Sequence, residues 1–182
     1  MSKVAGEPLA SVQPYFEHPG LTAFAATLLA FVAIAHAGLG ARGLLDAAVC
    51  AVLVVLAVID LERRIIPNAI VLPAAFLTLV AHVAIAPSKW LWYLGAAVGA
   101  GLFFLVLFLV FRDGLGMGDV KLAVLIGAAL GSHVLTGLVF GSLAGAVVAL
   151  YLLGTKGAAA RKMTIAFGPY LAAGAILVML LD

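Results

Sequence analysis

The sequence predicts an all-α integral membrane protein, a polytopic helical bundle of about seven transmembrane segments with one segment short or broken. Three observations lead there. Hydrophobic residues make up 66% of the 182 residues and charged ones only 10%, where a soluble domain carries roughly 25% charged. Apolar runs recur along nearly the whole chain, most approaching the roughly 20 residues needed to cross about 30 Å of hydrocarbon. Nothing else organises the chain: the single cysteine, Cys50, lies inside an apolar run, which leaves no disulfide framework or Cys-x-x-Cys zinc site. Cys50 reads as a small buried packing residue. The net charge of +2 with scattered basic residues points away from nucleic acid and leaves the lipid bilayer as the expected surroundings.

Residues 1–19, with Pro8, Pro14 and Pro19, are polar enough to lie outside the bilayer on the cytoplasmic side, and residues 20–182 form the membrane domain. Ala35-His36-Ala37 has the look of a signal cleavage site, but Glu7 and Glu17 against the single Lys3 ahead of it argue for a retained segment. Apolar runs follow at about 21–37, 43–59, 69–86 and 90–111, then at 120–131, 134–153 and 164–181. The stretch 120–153 decides the topology. As one helix it would be about 51 Å long, too long for a bilayer, so it is divided at Gly131-Ser132-His133. Charge bias supports the division. With the amino terminus inside, inner loops receive Lys3, Arg63, Arg64, Arg112, Lys121, Lys156, Arg161 and Lys162, and outer loops keep Arg42 and Lys89. That is a positive-inside pattern, and it places the carboxyl terminus outside.

The unusual residues then fall on one membrane face. Asp60 closes the second segment, Asp119 opens the fifth in Gly116-Met117-Gly118-Asp119, and Phe167-Gly168-Pro169-Tyr170 opens the seventh. An acid at the edge of hydrocarbon is costly and is a functional candidate for that reason. Two carboxylates a few ångströms apart cannot both ionise cheaply, so they share one proton. The charged member can take a proton from water while the neutral one polarises a carbonyl, which is peptide hydrolysis without a covalent intermediate. The titration belongs to the pair, so neither aspartate is the permanent base. Gly116 and Gly118 allow close backbone approach or a sharp bend. Gly168 and Pro169 hold an irregular start to the last segment, tolerable at that depth where it is buried in protein or faces water.

Each of these residues also has a plainer role available. Asp60 with Glu62, Arg63 and Arg64 can be a solvated interfacial cluster, and Asp119 can be the N-cap of the fifth segment. Asp113 beside Arg112 reads as a loop charge, and Lys121 as a snorkelling lysine or a neighbour that tunes Asp119. His36, His82 and His133 read as outer interfacial residues. Gly137, Gly141 and Gly145, and likewise Gly95 and Gly99, read as close helix packing.

Other chemistries lack their motifs. No His-Glu-x-x-His is present, Gly141-Ser142-Leu143-Ala144-Gly145 has its serine one place early for a nucleophile elbow, and Gly114–Gly118 lacks the Lys-Ser/Thr ending of a phosphate loop. No cofactor or metal is expected. An ion- or proton-coupled transporter component using the same aspartates is the alternative, but its path should continue across the bilayer. Beyond Asp46, an outer loop charge, no acid carries it there.

The motifs resemble a known family. Asp60-Leu-Glu-Arg-Arg-Ile-Ile-Pro67-Asn68 is similar to the first aspartate motif of prepilin peptidases, the type IV leader peptidases. Gly116-Met-Gly-Asp119-Val-Lys121-Leu is similar to their second, the Gly-x-Gly-Asp signature of intramembrane aspartyl proteases. Ile165-Ala-Phe-Gly-Pro-Tyr-Leu-Ala-Ala-Gly174 resembles the third block, where a proline commonly stands at the position of Ala166. The resemblance implies a transmembrane aspartyl peptidase over residues 20–182, with Asp60 and Asp119 as the catalytic pair. Pro67, Asn68, Gly116, Gly118, Lys121, Gly168 and Pro169 would be its motif or substrate-site residues. It implies substrates that are prepilins or pilin-like secretion subunits, cut after a glycine just before their apolar helix at the cytoplasmic face of the bacterial inner membrane. Pilus or secretion machinery would be met only indirectly. Bifunctional members carry paired Cys-x-x-Cys motifs in a cytoplasmic domain. With one cysteine here, methyl transfer is not expected, and the chain looks like the short peptidase-only type of tight-adherence pilus systems.

Overall fold

The computed structural model describes residues 19–111, 115–156 and 166–181. Helices follow in the order α1 (Pro19–Ala37), α2 (Ala41–Arg63), α3 (Asn68–Ile85), α4 (Trp90–Val110), α5 (Met117–Leu130), α6 (Val134–Lys156) and α7 (Gly168–Leu181), with a single 3₁₀ turn, Gly131–His133, joining α5 to α6. Among the described residues there is no strand, and the chain is an all-α, multi-pass membrane protein. The expected leading segment lies, up to residue 18, outside the described residues, as do Arg112, Asp113, Arg161 and Lys162.

Glycine contacts give the relative direction of two helix pairs. A Cβ added at Gly131, Gly127 or Gly101 would meet Tyr93, Ala96 or Val124 respectively, so α4 and α5 run antiparallel. Gly137, Gly141 and Gly145 face Ala175, Leu171 and Phe167 in the same way, so α6 and α7 are antiparallel as well. These small residues let backbones approach closely, which is how helices associate in lipid, where the hydrophobic effect between them is lost. Gly137, Gly141 and Gly145 therefore do the packing their spacing predicts. Gly95 and Gly99 do not: nothing lies within 4 Å of a Cβ added at either, and they border an open groove between α4 and α6.

By length and composition α2, α3 and α4 can each cross a membrane, and so can the run Met117–Thr155 of 39 residues if taken whole. It is not one helix. Gly131 has φ +53° and ψ −117°, a positive-φ conformation that glycine adopts without steric cost, and the chain reverses there. The Gly131-Ser132-His133 break was legible in advance because only a break fits the bilayer thickness.

α5 is the centre of the bundle. All but four of its 14 residues are buried, and it packs against α3, α4, α6 and α7. A helix enclosed on all sides is apolar all round, and its 14 residues span only about 21 Å. The α4–α5 register extends to place Asp119 roughly level with Leu105. α4 continues to Val110, about one and a half turns farther, so the start of α5 is recessed inside the bundle. Outer surfaces carry exposed Phe76, Trp92, Phe103, Leu135 and Tyr151, the apolar coat that a bilayer solvates.

Candidate active site

Three helices deliver the site, each by its own periodicity. On α2, Leu53, Leu56 and Asp60 share the buried stripe, so the helical repeat turns Asp60 inward. On α5, Asp119 lies in line with Leu122, Ala123 and Ile126, all buried. On α7, Gly168 lies in line with Leu171, Ala172 and Ala175. Asp60 is 6% exposed and Asp119 7%, and they are the only buried carboxylates among the described residues.

Each aspartate has one oxygen held by a glycine N–H. The backbone N–H of Gly168 donates to Asp60 Oδ2 at 3.0 Å, and that of Gly116 donates to Asp119 Oδ2 at 2.9 Å. Both donors are orphan N–H groups at helix starts, which need a partner when buried. Such bonds fix a carboxylate's orientation and leave its second oxygen for water, a proton or a substrate atom. Asp119 is thus the third residue of α5 reaching back to the N-cap, the return half of a capping box, rather than the N-cap itself, which is Gly116. Pro169 fits the first turn of α7, where a missing N–H costs nothing.

The two carboxylates share one end of the bundle. Ile66 connects them: a Cβ at Gly118 would lie 3.0 Å from the Ile66 side chain, and one at Gly168 would lie 3.3 Å from its Cδ1 and 2.7 Å from Asp60 Oδ2. Ile66 reaches this place because α2 ends sharply. Arg64 takes a left-handed conformation, φ 55° and ψ 37°, and its N–H bonds to the Asp60 carbonyl at 2.8 Å, the C-capping geometry usually given to glycine. Pro67 then caps α3 with φ −65°. Asn68 and Lys121 tie the two motif-bearing turns together, the Lys121 ammonium donating to Asn68 Oδ1 at 2.6 Å.

The structure therefore brings Asp60, Asp119, Gly116, Gly118, Gly168 and the Asn68–Lys121 pair to one end, with Pro67 and Pro169 setting the adjacent helix starts. Asp60 is not part of a solvated cluster: it is buried while Arg63 and Arg64 are exposed. Lys121 is bonded rather than simply snorkelling. His82 does not face the surroundings: it is 3% exposed and stacked on Tyr93 with ring centroids 3.6 Å apart. Sequence reasoning gave Arg64 no part in ending α2 and overlooked Ile66, for which an apolar residue between a helix end and a proline was the available signal. Among the described residues no three His, Cys, Asp or Glu side chains group as metal ligands.

Comparison with known proteins follows the same residues. The model of the type IV leader peptidase family matches residues 47–153. The chain belongs to that family. Proteins named prepilin leader peptidase/N-methyltransferase are similar to it. The one from Xanthomonas campestris pv. campestris is 32% identical over 178 residues, covering 94% of this chain and 59% of the relative. Those from Bacillus subtilis and Pseudomonas putida are each 35% identical, over 136 residues (70% and 52% of the two chains) and 129 residues (66% and 43%) respectively. The chain spans about half the length of the curated relatives it matches. No solved structure matches it. The leader peptidase match includes Asp60 through Lys121 and stops before α7, whereas the match to the Xanthomonas relative, over 94% of the chain, takes in Gly168 as well.

Proposed function

We propose that this chain is a membrane-embedded aspartyl endopeptidase that removes the short basic leader from type IV prepilins and pilin-like secretion proteins. The observation that carries the reading is the pair Asp60 and Asp119, buried at one end of the bundle with one oxygen of each held by a glycine N–H. Family membership supports the same activity, since the relatives are named as prepilin leader peptidases.

Chemically, one aspartate is ionised and the other carries the shared proton. The carboxylate takes a proton from a water molecule as its oxygen attacks the scissile carbonyl carbon, while the protonated partner donates to the carbonyl oxygen. The tetrahedral intermediate collapses as the C–N bond breaks and a proton passes to the leaving amine. No covalent enzyme intermediate forms, and the pair returns to one proton. Gly168 and Gly116 orient the two carboxylates, which substitutes for reorganisation during the reaction.

The peptidase domain is residues 20–182, with residues 1–19 cytoplasmic. The aspartate end faces the cytoplasm of the bacterial inner membrane, because Arg63, Arg64, Lys121 and Lys156 lie at that end and Arg42 and Lys89 at the other. The carboxyl terminus of α7 is then outside. Methyl transfer is not part of the proposal. The experiment mixes purified protein in detergent with a synthetic prepilin. Asp60→Asn and Asp119→Asn are each expected to lower leader removal by about 10³-fold while the protein stays folded. Full cleavage by either variant ends the dyad mechanism.

A further inference from the structure

The bundle has a second polar place, at the end remote from the aspartates. α2, α4 and α6 all begin there. A crevice of about 360 Å³ opens among these starts, lined by Arg42, Lys89, Trp92, Tyr93, Ser132 and His133. Arg42 and Lys89 are the two basic residues that the charge count assigns to this side, and both face the same space. Arg42 is in the first turn of α2, Lys89 immediately precedes α4, and His133 immediately precedes α6. The starts of α2 and α4, each with first-turn N–H groups and the positive end of a dipole, and the 3₁₀ turn that leads into α6 therefore border one cationic cavity.

Asp46 approaches Arg42 at 4.0 Å, with the arginine side chain 59% exposed, and among the described residues Lys89 forms no ion pair. The wall behind the crevice is fixed. Tyr93 is stacked on His82 with an interplanar angle of 11°, and a Cβ at Gly131 would lie 2.8 Å from the Tyr93 ring. On the outer side, Leu91 and Trp92 are 62% and 69% exposed, an apolar shelf beside a cationic hole. Trp and Tyr at such a level are the residues that settle at a membrane–water interface.

We propose that this crevice binds a phosphate-bearing anion, with the headgroup of an anionic phospholipid as its source. Guanidinium and ammonium groups meet the phosphate oxygens, helix-start N–H groups add donors, and acyl chains lie along Leu91 and Trp92. A free phosphate would use the same donors but not the shelf. The site stands independently of the peptidase reading, since it shares no residue with the aspartate end.

The test uses the full chain purified in neutral detergent. Retention of phosphatidylglycerol and of phosphatidylcholine with matched acyl chains is read by native mass spectrometry. Inorganic phosphate against chloride at fixed ionic strength is read by thermal denaturation. The wild type is expected to favour phosphatidylglycerol over phosphatidylcholine by roughly tenfold, the size of one charge-assisted hydrogen bond. Arg42→Gln/Lys89→Gln is expected to lose that preference while its leader removal and lipid-free melting stay unchanged. Stabilisation by inorganic phosphate without lipid retention assigns the same donors to a free phosphate and overturns the headgroup. Equal retention of both lipids with no phosphate effect, or equal preference in wild type and variant, overturns the site. Should the double variant not fold, Lys89→Gln alone, at an exposed position, is held to the same criterion.

Discussion

The backbone N–H of Gly168 donates to Asp60 Oδ2 across 108 residues of sequence, at 3.0 Å. This bond joins the last helix to the end of the second and turns the first aspartate toward the centre of the bundle. Asp119 is held by the mirror of this device, except that its donor, Gly116, is only three residues away. One carboxylate is thus oriented by tertiary contact and the other by its own helix start. The difference sets how each responds to substitution.

The glycines should separate by the room around them. Gly168→Ala puts a methyl 2.7 Å from Asp60 Oδ2. A displacement of that kind in a reacting group costs about 10²-fold in rate, and that loss in kcat/KM for leader removal is expected. Gly118→Ala meets the Ile66 side chain first, at 3.0 Å, and should lose less. Gly116→Ala finds its nearest neighbour, Asp119 Oδ2, at 3.4 Å, and its φ of −91° suits any residue, so activity should stay close to wild type. An equal loss in all three would contradict this ordering.

The aspartates should act as a unit. Residues that share one chemical step are strongly non-additive. The double variant Asp60→Asn/Asp119→Asn is therefore expected to be no slower than either single variant, measured as single-turnover cleavage of a synthetic prepilin. Multiplicative losses would mean that the two groups serve separate steps.

Lys121 and Asn68 should couple. Their 2.6 Å bond joins the first turns of α3 and α5 at a partly solvated place, where a hydrogen bond to a charged group is worth about 1 kcal/mol. A double-mutant cycle on thermal stability with Asn68→Ala and Lys121→Met should return a coupling of about that size. Zero coupling would make the bond incidental.

Packing glycines should matter according to contact and not according to motif. Gly127→Ala and Gly174→Ala drive a methyl into the backbones of α4 and α6, and overpacking of this kind costs about 1–3 kcal/mol. Both are expected to lower the melting temperature in detergent. Gly95→Ala and Gly99→Ala, with nothing within 4 Å among the described residues, should not lower it, alanine being the better helix former.

Much of this was legible in the chain. The apolar runs placed each helix to within a few residues, and the bilayer thickness required the break at Gly131. Counting segments put Asp60, Asp119 and Gly168 at one end before any contact was known. The rest was not legible. Asp119 reads equally as an N-cap until the backbone shows that Gly116 holds that position. That His82 is buried against Tyr93 shows only once the α4 start is packed beside α3. Gly95 and Gly99 have the spacing of a packing motif but no partner.

By itself the sequence determined the membrane class, the number of segments and the end of the bundle that carries the acids. Transfer into hydrocarbon is a local, nearly additive property of consecutive residues, so it is written in the composition of each run. Only the tertiary structure decided which carboxylate oxygen is held, by which N–H, and how deeply. Those depend on helices distant in sequence being packed within van der Waals contact, and a periodic pattern carries no record of its partner. Asp60 meets Gly168 because α2 and α7 lie side by side, and no property of either segment alone requires it.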